Sequence, residues 1–342
     1  MSTFSSEVAT CLQITPEKID EYLYQFYRPM VEIRTRELVL ERFPEIGQQV
    51  WYATREEWIL HTESFNYDDT SPYTPTEKWS ETTNCAVPYE AEESDLDSIC
   101  GEAQQDASQR FNDASTKLSS LLYPDSLLDV AIAVDRLVDF NEVFGDFIEK
   151  HEGTSFNRIA DLFEGWTGGS DNNEAFLAFG NMRANAGHQR TLLYLITQIT
   201  VAEFTIQAET RNSLGARLSN LAEKLIEVQK ARSFVLENIY LGTAMFTPLG
   251  YIDGAVSIVE NFGIENAEGE QDTSWFTSFK DKYLIGEYEV GMDSDTFEAL
   301  AAGIDDVLAT VESTLADGRS TISEFIAQVD ADTSGLIQGA VY

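Results

Sequence analysis

Apolar residues recur at helical spacing through the middle of the chain. Between Leu118 and Ile148 they stand three, four or seven positions apart, at Val130, Val134, Leu137, Phe144 and Ile148, and Phe140 and Phe147 widen the same stripe. A second stripe repeats every seven residues at Leu192, Ile199 and Ile206 and continues through Leu214, Leu218, Leu221, Leu225 and Val228. Such spacing is typical of amphipathic helices and coiled coils. The pattern predicts helices over about 118–164 and 173–237.

A turn-forming segment separates the two stripes. Residues 167–173 read Thr-Gly-Gly-Ser-Asp-Asn-Asn, and glycine and asparagine tolerate left-handed backbone angles. Two long amphipathic helices joined by a short turn pack antiparallel, because neither can bury its stripe alone. We therefore predict an all-α fold, with a long antiparallel helical hairpin at residues 91–237 that turns at 166–173. We expect Gly168 to supply the backbone angles of the reversal and Trp166 to cover the ends of both helices.

Additional helical segments are predicted on both sides of the hairpin. Residues 1–90 form an N-terminal accessory segment, in which a helix runs from Ile19 to about Phe43 and Pro29 kinks or divides it. An irregular linker follows at 66–88, where Thr, Ser, Pro and Asp are frequent. Residues 238–342 form a C-terminal helical region, with its clearest apolar stripe from Leu300 to about Val329. Residues 283–290 are the best candidate for a short strand.

A dense group of aromatic residues follows the first predicted helix. It consists of Trp51, Tyr52, Trp58, Phe65, Tyr67, Tyr73 and Trp79. Such a group either builds a small core with the N-terminal helix or forms a docking surface. A core is favoured, because exposed aromatic patches of that size are uncommon on globular proteins.

The turn and its flanking helices carry a resemblance to a known family. Trp166-Thr167-Gly168, placed between two amphipathic helices, resembles the Trp-x-Gly helical-hairpin proteins of type VII (ESX-like) secretion systems, in particular their long actinobacterial members. Small residues and an aromatic follow the turn here at 174–179, as they often do in those hairpins. The segments 188–190 and 211–214 stand roughly where longer relatives show a Gln-rich helix and an Arg-x-x-Leu continuation. The resemblance covers about residues 95–235 and departs from the small family in the large segments on both sides.

The resemblance implies a non-enzymatic, secreted protein that acts through protein–protein interaction, with a partner or with copies of itself, along its helix faces. Members of the family leave the cell without a cleaved signal, commonly with the help of a Tyr-x-x-x-Asp/Glu motif beside the hairpin. The chain meets this pattern at Tyr52/Glu56, Tyr73/Glu77, Tyr89/Glu93 and Tyr283/Glu287. Chance alone gives about two such matches in a chain this acidic. Tyr283 and Glu287 are the best placed, because they lie downstream of the second helix.

The excess of acidic over basic residues restricts the classes of partner that the chain can bind. The chain has 59 Asp and Glu against 22 Lys and Arg, for a formal net charge of −37. Such a charge repels phosphate backbones and anionic headgroups, so we expect no nucleic-acid partner. Residues 1–7 have neither a basic nor an apolar region of the kind found in signal peptides, and no apolar stretch is long enough to span a bilayer. We expect a secreted or cell-surface protein without a cleavable signal peptide, with a cytoplasmic location as the alternative.

No pattern in the chain points to catalysis. His61, His151 and His188 lie far apart and outside any zinc-binding pattern, and no nucleophile elbow, phosphate-binding loop or Cys-x-x-Cys is present. We therefore predict no catalytic residues and no enzymatic activity. The cysteines Cys11, Cys85 and Cys100 fit either one bridge, between Cys85 and Cys100, or a fully reduced chain.

One acidic segment near the C-terminus matches part of a calcium loop. Asp330, Asp332 and Ser334 occupy the first, third and fifth positions of an EF-hand pattern, and Gly335 occupies the sixth. The twelfth position, which should be a bidentate glutamate, is Val341. Calcium is thus the single cofactor for which the sequence offers a candidate site, and otherwise we expect none. Together with the net charge, the segment supports an alternative function, an acidic structural or calcium-responsive surface protein, with a halophilic source from a salt-rich habitat as one form of this alternative.

Overall fold

The computed structural model describes residues 3–11, 16–52, 54–64, 76–122, 127–151, 155–165, 170–231, 254–259, 274–284 and 296–340. Four helices precede a β-hairpin: α1 Phe4–Cys11, α2 Pro16–Tyr24, α3 Tyr27–Arg42 and, after a 3₁₀ helix at Pro44–Trp51, α4 Arg55–Ser64. The hairpin pairs β1 Glu77–Ser80 with β2 Cys85–Pro88. The remaining helices are α5 Glu93–Leu122, α6 Leu127–His151, α7 Asn157–Glu164, α8 Ser170–Ala231, α9 at 254–259, α10 Ser274–Tyr283 and α11 Phe297–Ala340. The predicted all-α class is confirmed.

Helix α8 is the centre of the molecule. Its 62 residues correspond to a length of about 90 Å. It packs against α2, α6, α7, α10 and α11. Between Val201 and Gly215 almost every side chain is buried, on all sides of the helix, whereas most side chains between Asp171 and Arg190 are exposed. A single helix therefore runs from a fully enclosed core segment to a section with little cover.

Two apolar cores form around the C-terminal half of α8. The first joins α2, α3, α5 and α11 to α8 through large buried side chains, including Leu23, Phe26, Leu118, Leu221 and Phe297. The second joins α1, α6, α9, α10 and α11 to the middle of α8 through Phe4, Val134, Phe204, Phe276 and Phe279. Burial of each such side chain stabilises the fold by about 1.5–3 kcal/mol. Because α8 and α11 belong to both cores, these two helices tie the halves of the molecule together.

The predicted antiparallel hairpin is present, with different helix boundaries. Asn141 Nδ2 of α6 donates to Thr197 Oγ1 of α8 at 2.8 Å, and the ring centroids of Phe163 in α7 and Phe176 in α8 lie 6.2 Å apart. Residue numbers therefore rise along one arm as they fall along the other. The single helix predicted over 118–164 is wrong. Helix α5 ends at Leu122, two residues before Pro124, because the residue before a proline disfavours helical angles, and the arm continues as α6 and α7.

The predicted N-terminal helix is divided, but the break lies at residues 25 and 26 and not at Pro29, where the sequence places the kink or division. Helix α2 ends at Tyr24 and α3 begins at Tyr27, so that Pro29 lies in the first turn of α3, where its missing N–H costs no hydrogen bond. Both helices contribute to the first core. Helix α1 is fixed to the hairpin, because the backbone N–H groups of Phe4 and Ser5 each donate to the Asp135 carboxylate of α6 at 2.9 Å.

Part of the segment predicted as an irregular linker is a β-hairpin instead. Residues 77–80 pair antiparallel with 85–88, and Ser80 lies opposite Cys85. The turn between them contains Asn84 at φ 49°, an angle that asparagine tolerates better than most residues. The hairpin packs on a third apolar core built from α3, the 3₁₀ helix and α5. The strand suggested at 283–290 begins in a helix, since Tyr283 is the last residue of α10, and 285–290 lie outside the described residues.

Candidate interaction surface

Exposed apolar side chains concentrate on one section of the hairpin. Among the described residues, eight of the large exposed apolar side chains lie between positions 140 and 196, and we refer to them as the distal surface: Phe140, Val143, Ile159, Leu162, Phe176, Leu177, Met182 and Ile196. The remaining four are dispersed over the rest of the chain, at Tyr24, Leu60, Tyr89 and Ile326. Single exposed apolar residues are ordinary on protein surfaces, whereas large apolar patches mark interaction sites, so we take the section that holds most of the exposed apolar side chains as the candidate surface.

An internal stripe of aromatic side chains holds this section together. Phe163 of α7 contacts both Phe176 and Phe179 of α8, with ring centroids 6.2 and 5.8 Å apart, and Phe156 lies 5.8 Å from Phe179. Aromatic pairs at these separations stabilise a contact beyond the area that they bury. The two arms are thus joined by phenylalanines, and Phe176 both contributes to this contact and remains partly exposed on the distal surface.

The α8 side of the distal surface lacks acidic residues. No Asp or Glu occurs from Ala175 to Ala202, whereas about five would be expected in a stretch of that length at the overall composition of the chain. The stretch contains Arg183 and Arg190. The exposed side of α6 is different, because it carries Asp139, Glu142 and Asp146 beside Phe140 and Val143. On α8 the exposed apolar side chains are therefore accompanied by basic and neutral residues, whereas on α6 they are accompanied by acidic residues.

Two glycines of α8 lie in open space. A Cβ added at Gly180 or Gly187 would have no neighbouring atom within 4 Å. Glycine inside a helix destabilises it by about 0.5–1 kcal/mol relative to alanine. Packing within this chain does not require either glycine. Each leaves the surface of α8 without a side chain at its position.

The structure places the predicted turn and export residues as follows. Trp166 and Gly168 lie outside the described residues, between α7 and α8. Tyr283 is buried, and its hydroxyl hydrogen-bonds with Asp317 Oδ2 at 3.0 Å and Thr321 Oγ1 at 2.7 Å. It therefore packs α10 onto α11. Glu287, the second residue of the export pattern, lies outside the described residues.

The calcium segment lies within a helix. The backbone at Asp330, Asp332 and Ser334 belongs to α11, and their side chains lie outside the described residues. Alternate positions on a helix point in different directions, so an EF-hand loop here would need the backbone to leave the helix. Across the side chains that the structure describes, no group of three or more His, Cys, Asp and Glu is placed to hold a metal ion.

Part of the aromatic group lies in the third core. Trp51 and Trp58 pack against it, and the rings of Trp58 and Trp79 lie 6.3 Å apart. Tyr52 stacks on His61 at 4.9 Å. The side chains of His151 and His188, and all of Phe65, Tyr67 and Tyr73, lie outside the described residues.

A cavity of about 400 Å³ opens between α2, α3, α5 and α11. Its floor is apolar, with Leu23, Met30 and Ile304 among the lining residues, and neither histidine nor cysteine lines it. Its two cationic side chains are already neutralised, because Arg110 is paired with Glu298 at 2.5 Å and Lys117 with Asp305 at 2.9 Å. Asp113 is a further acidic residue of the lining, so the cavity combines apolar and charged side chains.

No family model, no curated protein and no solved structure matches this chain. Within the part of the chain that the structure describes, no helix combines the length and the apolar character needed to cross a membrane. The exposed apolar side chains of the distal surface are the observation from which we propose a function.

Proposed function

We propose that this chain is a non-enzymatic helical interaction protein, exported in the manner of the type VII secretion substrates that it resembles, and that its distal surface binds a helical protein. The partner is another protein or a second copy of the chain. The single observation that carries the proposal is the concentration of exposed apolar side chains on the hairpin, beside an acid-free strip of α8.

The dimensions of the surface support this proposal. The two arms between residues 140 and 196 have about 26 residues each, so each is about 40 Å long and about 10 Å wide, and one face of the pair offers on the order of 800 Å². A standard protein–protein interface buries about 800 Å² on each partner. The hairpin section is therefore large enough for a specific contact, and its apolar residues supply the driving force for association.

The distribution of charge supports binding on the α8 side of the distal surface. With a net charge of −37, most of the molecule repels other acidic surfaces. The acid-free strip from 175 to 202 is a place where an acidic partner, including a second copy, meets less repulsion. Open space at Gly180 and Gly187 allows a partner helix to lie close to α8.

A charge substitution at the distal surface tests the proposal. Leu162 and Leu177 are 70% and 63% exposed, so glutamate at either position should leave the fold intact and weaken association at least tenfold. Sedimentation velocity of the purified chain measures self-association, and co-purification from the native host measures a separate partner. Leu60→Glu is the matched control, because Leu60 is 68% exposed on α4, away from the distal surface. Equal association of all three variants would remove the distal surface from the proposal.

Export is tested separately, in the native host. Trp166→Ala and Gly168→Ala change the two residues that carry the family resemblance. We expect either substitution to reduce the amount of the protein outside the cell while its cellular level stays the same. Unchanged export of correctly folded variants would remove the main support for a type VII route.

The net charge favours a second candidate, an acidic structural or calcium-responsive surface protein of a salt-rich habitat. Calorimetric titration with Ca²⁺ distinguishes the two. Heat of binding that is lost in an Asp330→Asn/Asp332→Asn variant would favour the second candidate. The absence of both heat and a change in melting temperature at millimolar Ca²⁺ would exclude a calcium-responsive function.

A further inference from the structure

Two cysteine thiols meet at the turn of the β-hairpin. The Cys85 thiol, at the start of β2, donates to Thr83 Oγ1 at 3.3 Å. The Cys100 thiol, on α5, donates to the carbonyl oxygen of Thr82 at 3.3 Å. Both sulfur atoms are free thiols, and they contact adjacent residues of one turn. We propose that Cys85 and Cys100 are a thiol pair that forms an intrachain disulfide when the protein meets a small disulfide oxidant.

The two thiols differ in access, and this difference sets the order of the reaction. Cys100 is half-buried, whereas Cys85 is fully buried at 0% exposure. A small disulfide therefore reaches Cys100 first. The Cys100 thiolate attacks one sulfur of the oxidant, and the oxidant's S–S bond breaks. One small thiol leaves and takes a proton from solvent.

Cys85 then completes the bridge from inside the protein. After it loses its proton, its sulfur attacks Cys100 Sγ, the mixed disulfide breaks, and the second small thiol leaves. The two cysteines lose two electrons in total, and the oxidant is reduced to two thiols. The reaction needs no group beyond the oxidant and the two cysteines.

A buried cation assists the second step. Arg36 of α3 is 1% exposed, and its Nη2 donates to the carbonyl oxygen of Asn84, the residue before Cys85. Burial raises the pKa of the Cys85 thiol to about 11, while the Thr83 hydroxyl and the Arg36 charge act in the opposite direction and Cys100 adds to the rise. The Cys100 thiol also has a raised pKa, because of burial and of the nearby carboxylates of Asp97 and Glu93.

These pKa directions predict a slow reaction at neutral pH that accelerates in base. Only the thiolate is a nucleophile, and both thiols have a raised pKa, so bridge formation should become roughly tenfold faster for each pH unit between about 7 and 9. The bridge would join β2 to α5 and thereby fix the β-hairpin to the third core. The bridge would close the loop between residues 85 and 100, and closing a loop of that length predicts a rise in melting temperature of about 5 °C on oxidation.

The experiment uses the full chain with Cys11→Ser, so that two thiols remain. It is incubated with oxidised glutathione at pH 8, and free thiols are counted after denaturation. We expect a loss of both thiols, a Cys85–Cys100 peptide in mass spectrometry, no change in molecular mass on a non-reducing gel, and full reversal by dithiothreitol. Cys85→Ser is the control variant, and it should retain glutathione on Cys100.

Three results would overturn the proposal. They are a lasting glutathione adduct on Cys100 while Cys85 is still present, a bridge between two chains, and retention of both thiols after prolonged incubation at pH 9. All three are read on the chain that keeps both cysteines, so the proposal is tested even where the Cys85→Ser variant does not fold. The test does not depend on the distal surface or on the route of export.

Discussion

At the scale of single residues, a few polar side chains fix the ends of helices to distant elements. Asp135 of α6 accepts both free N–H groups at the start of α1, and Glu37 of α3 accepts the N–H of Phe297 at the start of α11, at 2.9 Å. The first N–H groups of a helix have no partner within it, so a carboxylate placed there satisfies them and interacts favourably with the helix dipole. Both carboxylates come from other helices, more than 100 residues away in sequence.

Removal of the Asp135 charge should therefore weaken the attachment of α1. We expect Asp135→Asn to lower the free energy of unfolding by about 1–2 kcal/mol, because two charge-assisted hydrogen bonds become weaker. Urea denaturation followed by circular dichroism measures the change. Asp139→Asn on the exposed side of α6 is the control and should change stability by less than about 0.5 kcal/mol. Equal effects of the two substitutions would contradict a capping role for Asp135.

At the scale of helices and strands, apolar periodicity in the sequence identifies the long helices well. It does not identify which elements pack against each other. The long stripes of α6, α8 and α11 identify those helices, because many turns repeat the same spacing. The β-hairpin is missed since each strand has four residues, too few for an alternation to stand out. Phe140 fits the edge of the α6 stripe, yet it is exposed in the structure. Periodicity indicates that a face is apolar but not whether another helix covers it, so the distal surface could not be predicted.

Close packing between α11 and α8 leads to a matched pair of substitutions. A Cβ at Gly318 of α11 would lie 2.7 Å from Ile206 Cγ1 of α8, whereas a Cβ at Gly101 of α5 would meet no atom within 4 Å. We expect Gly318→Ala to destabilise the fold by about 1–3 kcal/mol through overpacking. Gly101→Ala should stabilise it by about 0.5–1 kcal/mol through helix propensity. Opposite shifts of the melting temperature in differential scanning calorimetry check the pair, and a stabilising Gly318→Ala would contradict the close approach.

At the scale of the whole molecule, like-charge repulsion opposes compaction. The chain has 37 more acidic than basic side chains, and the ion pairs found among the described residues, such as Arg34–Asp106 and Arg319–Glu203, use few of the acids. Exposed ion pairs contribute less than about 1 kcal/mol each. Repulsion therefore outweighs attraction, and its range depends on ionic strength, since the screening length falls from about 30 Å at 0.01 M salt to about 10 Å at 0.1 M.

Added salt should consequently stabilise this protein. We expect the melting temperature to rise by several degrees between about 0.01 and 0.5 M NaCl, most steeply at low concentration, where screening changes most. Sucrose at the same osmolality is the control for effects other than screening, and calorimetry measures both series. A melting temperature that falls as salt is added would mean that ion pairs outweigh repulsion.

The long helix α8 also has a kinetic consequence for the exchange of its backbone amide hydrogens with solvent. Its segment from 201 to 215 is enclosed on all sides, so those amides exchange only when the whole fold opens, whereas the segment from 171 to 190 is mostly exposed and contributes to none of the apolar cores, so it can open locally. The exchange times of the backbone amides should therefore differ steeply along one uninterrupted helix. They should be seconds or minutes in its N-terminal half and should reach the global unfolding time at its centre. A partner bound to the distal surface would abolish that difference, and the loss of exchange would map the partner's footprint residue by residue.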